Sequence, residues 1–314
     1  MVGLENYCNV CKKKNFFYSK KNLVQNNSKT NWEHESTVEL ANISQKEFYM
    51  GFCLNCWCSK IFPVFDTNLI YQKEKGYLCR KKYFEKYNIK KKYNDLDGLD
   101  TKKKNKLIIN ELSRIKEISK NFNFFLNNNF KDSENLKILD FGGADGYLSN
   151  IIFELSKIIS NKKISLFNYD PQFRKEELNE KYDFIIISHV LEHVHDLDSI
   201  FIFLKKVTTE NSVIFVEVPD ERFMLFKKYF LNEKVFLHYH VNYFFRKSLN
   251  ILFNFYGFNT NFSYKLSTYR GNNLTVISGF AGIKIPNNKL VFFYEVVDIF
   301  KYMFNKILAK IKNF

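Results

Sequence analysis

The sequence predicts a doubly wound, mostly parallel α/β sheet preceded by a small cysteine-bearing segment. Three observations carry that expectation. From residue 136 onward, apolar runs of strand length alternate with runs of helical period. A glycine cluster closes the first of those runs, in LKILDFGGADGYLSN. Two Cys-x-x-Cys pairs stand within the first 60 residues.

The elements follow in order. LKILDF reads as a buried strand, and GYLSNIIFELSKIIS as a helix with apolar residues at 148, 151, 152, 155, 158 and 159. KISLFNY, YDFIIIS and SVIFVEV are further strands, and VLEHVHDLDSIFIFLKKVTT between the last two is expected to be largely helical. A helix over 246–257 and two late strands, NFSYKLST and NNLTVISGF, complete the pattern. Only 11 residues separate Asp170 from Tyr182, too few for a helix and another strand, so the sheet is expected to be shortened at that edge. Upstream, Leu107, Ile108, Leu112, Ile115, Ile118 and Phe122 recur at helical steps. The chain therefore divides into a metal-binding segment (1–70), a basic connector with a leading helix (71–131), an α/β domain (132–282) and a carboxy-terminal helix (283–314).

Composition narrows the function. With 46% hydrophobic and 18% aromatic residues in 314, global disorder is excluded. No apolar stretch is long enough to span a bilayer, and MVGLENYCNV lacks the apolar core of a signal peptide. A cytoplasmic setting with reduced thiols is expected. The net charge of +15 suggests a nucleic-acid partner until it is divided along the chain. Residues 71–131 hold 17 basic and 7 acidic side chains, whereas 132–288 hold 18 of each. The domain expected to do chemistry is neutral, which argues against an RNA or DNA substrate. In the carboxy-terminal helix, Ile299, Met303, Phe304, Ile307, Leu308 and Ile311 share one side. Packing on the domain or on a second subunit is the plainer expectation for it, and peripheral contact with an anionic membrane the alternative.

The glycine cluster ends a strand and opens a helix, where free backbone N–H groups and missing side chains admit a ligand. The spacing is not the GxGxxG of dinucleotide sites, because the third and sixth positions from Gly142 are Ala144 and Tyr147. What is present is Asp140-Phe-Gly142-Gly143-Ala144-Asp-Gly146. By itself this is better read as a plain strand–helix turn.

Together with NYDPQ, YDFIIISHVLEHVHDL, VEVPD and HYHVNYFFRKSLNILFNFYGF, that run resembles the motif series of the class I S-adenosylmethionine-dependent methyltransferases, over about residues 105–280. The resemblance implies a Rossmann-like sheet and S-adenosylmethionine as cofactor. It places Asp140, Gly142, Gly143, Ala144, Gly146, Asp170, Ser188 and His189 around that cofactor. A carboxylate such as Asp170 can accept both ribose hydroxyl hydrogens, although an acid before proline is also an ordinary turn residue. Glu192 and His193 fall at a predicted helix start, where a cap or a buried hydrogen bond is the plain alternative. His195 and Asp196 are expected at the surface.

Cys8-Asn-Val-Cys11 and Cys53-Leu-Asn-Cys56 can each direct two thiolates at one tetrahedral zinc ion, giving a structural Cys₄ site. The 41-residue spacing between them is longer than in a compact ribbon; incidental free cysteines are the alternative, and Cys58 a substitute ligand. Zinc knuckles ahead of such a domain resemble the sugar C-methyltransferases acting on nucleotide-linked deoxysugars. Their Tyr-His-Glu-His run corresponds to Leu237-His238-Tyr239-His240 here, so His240 matches their base while Leu237 and Tyr239 depart. Their long carboxy-terminal domain is not expected here, since few residues follow TVISGF. His240, Tyr243 and His193 are the catalytic candidates. The resemblance implies methyl transfer to a nucleotide-linked sugar or glycan precursor, in surface polysaccharide synthesis. An RNA methyltransferase with a zinc recognition segment, or a non-catalytic cofactor-binding module, are the alternatives. The sequence shows no (N/D)-P-P-(Y/F) run of the amino-methylating kind.

Overall fold

The computed structural model describes residues 7–18, 22–23, 47–62, 134–143, 162–170, 178–222, 240–269 and 272–285. The expected leading helix, the connector, the helix after Gly146 and the carboxy-terminal helix lie outside them.

Two sheets are present among the described residues. The amino-terminal one contains β1 (Phe16–Tyr18), β2 (Asn22–Leu23), β3 (Glu47–Cys53) and β4 (Ser59–Phe62). The larger contains β5 (Asn135–Phe141), β6 (Lys163–Tyr169), β7 (Tyr182–Ser188), β8 (Thr208–Pro219), β10 (Asn259–Tyr269) and β11 (Asn272–Gly282). Its order is β10-β11-β8-β7-β5-β6. The pairs β5/β6, β5/β7 and β7/β8 are parallel, whereas β11 pairs antiparallel with both β8 and β10. This is a mixed α/β sheet with a parallel centre, as expected of a Rossmann-like fold, and an antiparallel late hairpin. Among the described residues no strand lies beyond β6, in keeping with the short link from Asp170 to Tyr182.

Alternation sends side chains to the two faces of the sheet. Leu136, Ile138, Phe184, Ile186, Val213 and Phe215 pack on one face with Phe280 and Ile285. Leu139, Phe141, Ile185, Ile187, Ile214, Val216 and Val218 pack on the other. Tyr182 joins this second face although its parity matches Phe184, because the β7/β8 register shifts between those residues.

Helix α1 (Leu197–Val207) covers the second face with Leu197, Ile200, Phe201, Leu204 and Val207. Removing each large apolar side chain from water there contributes about 1.5–3 kcal/mol. The sequence predicts a longer helix, and the difference has a local cause. Asp196 caps α1 by accepting from the Ser199 N–H at 3.1 Å, and Leu191–His193 forms a separate 3₁₀ turn. Thr208 ends α1, its Oγ1 donating to the Leu204 carbonyl at 2.7 Å. Helix α2 (Arg246–Phe255) adds Leu249, Leu252 and Phe253 to the same core. Gly257, at φ +85°, lets the chain leave α2, with Phe258 N–H bonded back to the Phe253 carbonyl at 3.0 Å. No helix among the described residues is long and apolar enough to cross a membrane.

The two sheets are not independent. The short strand β9 (Asn242–Tyr243), just before α2, pairs antiparallel with β4. The buried Cys8, Val10, Cys53, Cys56 and Cys58 belong to the same apolar cluster as α1 and α2. Trp57 and Phe52 meet Phe245 edge-to-face at 6.1 and 5.9 Å between ring centroids. Lys12 Nζ reaches Asp198 at 2.5 Å, and the Tyr256 hydroxyl donates to the same carboxylate.

Candidate functional site

The carboxyl ends of β5, β6, β7 and β8 share one edge of the sheet. Register aligns Phe141 with Tyr169, Asp140 with Ile186, and Ser188 with Glu217. Strand β5 is followed in sequence by β6 on one side and flanked by β7 on the other, so the chain changes direction here. Such a switch point opens a crevice for a ligand.

The glycine turn is built for close approach. Gly142 has φ +73° and donates its N–H to the Tyr169 carbonyl at 2.7 Å. A Cβ added to it would fall 2.5 Å from Val190 Cγ2. A Cβ on Gly143 would land on the carboxylate of Asp140, which is buried at 2% exposure. Both glycines are thus required by what packs against them. Asp170 follows β6 directly at the same edge, half-buried. The structure therefore brings Asp140, Gly142, Gly143, Asp170, Ser188 and His189 to one edge; Ala144 and Gly146 lie outside the described residues.

Beyond β7 the site becomes a cluster of acids and imidazoles. Ser188 Oγ donates to Glu217 Oε1 at 3.2 Å. His189 has φ +55°, unusual for a residue with a side chain, and its ring lies between two carboxylates. Nδ1 is 3.1 Å from Glu192 Oε1, and Nε2 is 3.3 Å from Glu217 Oε1. Burial alone would lower the His189 pKa, but those two carboxylates raise it to about 10. His193 Nε2 is 3.9 Å from Glu192 Oε1. The His193 and His240 rings meet edge-on at 4.8 Å, and His240 Nδ1 is 2.8 Å from Glu221 Oε1. Burial works against protonation of His240 as well, and Glu221 outweighs it, so its pKa lies above the ordinary value. Tyr243, buried in β9, has its ring 6.2 Å from that of His240. The three catalytic candidates are therefore neighbours.

Sequence reasoning missed Glu217 and Glu221; for Glu192 it offered a cap or a buried hydrogen bond, and the second is what forms, with His189. A signal was present in SVIFVEVPDE, where an acid interrupts a strand whose neighbours are all apolar. Glu192 is not a cap of α1, since Asp196 holds that position. Asp196 is exposed as expected, whereas His195 is half-buried.

The cysteines converge. One sulfur from each of Cys8, Cys11, Cys53 and Cys56 lies within 4.8 Å of all the others, with Cys8–Cys56 at 3.4 Å and Cys11–Cys53 at 3.5 Å. A tetrahedral zinc–thiolate centre has sulfurs ~3.8 Å apart. Both knuckles turn alike: Lys12 and Trp57, each just after the second cysteine of a pair, have φ +59° and +68°. Their N–H groups donate to the carbonyls of Cys8 and Cys53 at 2.8 Å. Hydrogen bonds from the Cys53 and Cys56 thiols hold Cys8 far below the ordinary thiol range, while burial pushes Cys11 up to about 12. All four are free cysteines, so the donor set fits a single soft dication. Cys58 is buried beside this group without being part of it.

Comparison with known proteins places this geometry. Residues 111–261 match the family model of a methyltransferase domain. No curated protein matches the sequence. Among solved structures, magnesium protoporphyrin IX methyltransferase from Synechocystis PCC 6803 with bound SAH is 11% identical, at TM-score 0.37, covering 66% of this chain and 99% of that one. The citrinin polyketide synthase CMeT domain is 11% identical at TM-score 0.38, covering 60% of this chain and 58% of that one. A Burkholderia thailandensis 1,6-didemethyltoxoflavin-N1-methyltransferase is 12% identical at TM-score 0.30, covering 48% and 72%. Likenesses this low carry no weight beside the family match and the site. Over residues 111–261, just under half of its length, the chain is similar to a methyltransferase domain.

Proposed function

We propose that the chain transfers the methyl group to a small saccharide-type acceptor, a nucleotide-linked sugar or glycan precursor, with His240, His193 and Tyr243 on the acceptor side. The observation that supports this best is the run of carboxylates beyond β7. Glu192, Glu217 and Glu221 stand beside the three imidazoles, a polar cluster that offers hydrogen-bond partners to hydroxyl groups. Methyl transfer requires an aligned nucleophile and exclusion of water, and a route for the acceptor's proton where the nucleophile must lose one.

Within this reading, the bare turn at Gly142 and Gly143 admits the methionyl portion of the cofactor, and Asp170 takes the ribose hydroxyls. Cys8, Cys11, Cys53 and Cys56 hold zinc, which fixes the knuckles and, with four sulfur ligands, does no chemistry. Surface polysaccharide synthesis is the setting that suits such an acceptor.

The test is to supply labelled S-adenosylmethionine with separate pools of nucleotide sugars and RNA. Label in the sugar pool is the expected result. Transfer to RNA alone overturns the saccharide reading, and cofactor binding without transfer to either pool marks a binding module.

A further inference from the structure

We infer that Glu192, His193 and His240 form a second metal site, distinct from the cysteine cluster, that takes a first-row divalent ion preferring nitrogen and oxygen ligands. One ligand atom from each of these residues lies within 4.8 Å of the other two. They come from separate places in the chain, the 3₁₀ turn at Leu191–His193 and His240, two residues before β9, and are brought together by the Glu192 carbonyl accepting from the Val241 N–H at 2.7 Å.

A second observation points independently to a ligand. Glu192 is 1% exposed, and while its Oε1 faces His189, its Oε2 is buried with no hydrogen-bond partner. A buried carboxylate oxygen without a partner is costly, by about 1–3 kcal/mol or more for a charged group. A cation held by this carboxylate offsets that cost.

The surrounding groups are disposed as supports of a metal centre are. His240 Nδ1 engages Glu221 at 2.8 Å, which fixes the ring. His189 Nδ1 holds Glu192 Oε1 at 3.1 Å. Two imidazoles and one carboxylate suit manganese, iron, cobalt or zinc better than magnesium or calcium, which favour oxygen alone. Such a triad leaves coordination positions open. An ion held here takes oxygen atoms of the acceptor as further ligands, and His240 then serves the acceptor through the ion. This last step extends the acceptor-side reading above and rests on it; the ion site itself does not.

The experiment uses the full chain, as purified with its cysteine-bound metal, and Mn²⁺ alone. Thiolates disfavour Mn²⁺, so it reports the nitrogen and oxygen site. Free Mn²⁺ is followed by its six-line electron paramagnetic resonance signal, and bound ion by the nitrogen couplings of coordinated imidazole. One ion withdrawn per chain, with two imidazole couplings, is expected. Glu192→Gln and His193→Ala should each weaken uptake at least tenfold, and His193→Ala should abolish one coupling. No uptake by the wild type, or uptake undiminished in both variants, overturns the site. His193 is a fifth exposed, so its truncation leaves the core intact and decides the matter if the Glu192 variant fails to fold. No acceptor is present, so failure here leaves the methyl-transfer reading standing. Conversely, absence of sugar methylation with Mn²⁺ uptake intact leaves the ion site standing.

Discussion

Asn9 Nδ2 donates to Asn242 Oδ1 at 2.6 Å, joining the first cysteine knuckle to a fully buried side chain 233 positions later. Asn242 in turn donates its own Nδ2 to the carbonyls of Leu191 at 3.0 Å and Val194 at 2.6 Å. One amide thereby ties the knuckle to the turn bearing Glu192 and His193. Asn242→Ala leaves two carbonyls and Asn9 without this partner. We expect a loss of about 2–4 kcal/mol, or roughly 4–12 °C in Tm, read by thermal unfolding. A Tm within 1–2 °C of wild type would remove Asn242 from this role.

The knuckle is also held by charge. The Asp198 pKa lies below its ordinary 3.8; burial opposes this, and the Lys12 ammonium and Tyr256 hydroxyl outweigh it. A carboxylate with a depressed folded pKa contributes stability that is full above 3.8 and lost as pH falls through the lower folded value. The Tm difference between wild type and Asp198→Asn should thus be present at neutral pH and shrink toward zero below about pH 3–4. Both groups are partly exposed, so the neutral-pH difference should be modest.

Gly143→Ala should weaken S-adenosylmethionine binding at least about tenfold by calorimetry, because the new methyl must displace the Asp140 carboxylate. Undiminished binding would mean that this turn is not the cofactor cradle.

Asp170→Ala removes the proposed partner of the ribose hydroxyls. Charge-assisted hydrogen bonds of about 1.5–3 kcal/mol predict a loss of roughly 10- to 150-fold in cofactor affinity, without a comparable change in Tm.

Replacing Cys8 and Cys53 by Ser should take bound zinc from one per chain toward none, read by elemental analysis. The same variant should lower Tm, since a structural zinc site contributes directly to folding. Unaltered stoichiometry would exclude the four-sulfur site.

The larger sheet was legible because its strands are continuous apolar runs bounded by polar punctuation. KISLFNY and YDFIIIS coincide with β6 and β7. The stretch from Val190 to Asp196 misled because Leu191, Val194 and Leu197 mimic helical period, whereas the cap at Asp196 delays α1 until Leu197. The four cysteines could be grouped from spacing alone. Their docking could not, since β9 is two residues long and its pairing with β4 spans most of the chain. Glu221 and His240 illustrate the same limit: His240 could be singled out from its motif, but only the tertiary fold sets Glu221 2.8 Å from it.

The pairing of β4 with β9 bears on biosynthesis. Ser59 and Lys60 emerge from the ribosome long before Tyr243 and Asn242, their partners. Until then one margin of the nascent amino-terminal sheet stands open, and an open margin invites pairing with foreign chains. Early ion capture by the cysteines would keep that half-built unit compact while it awaits the rest of the polypeptide.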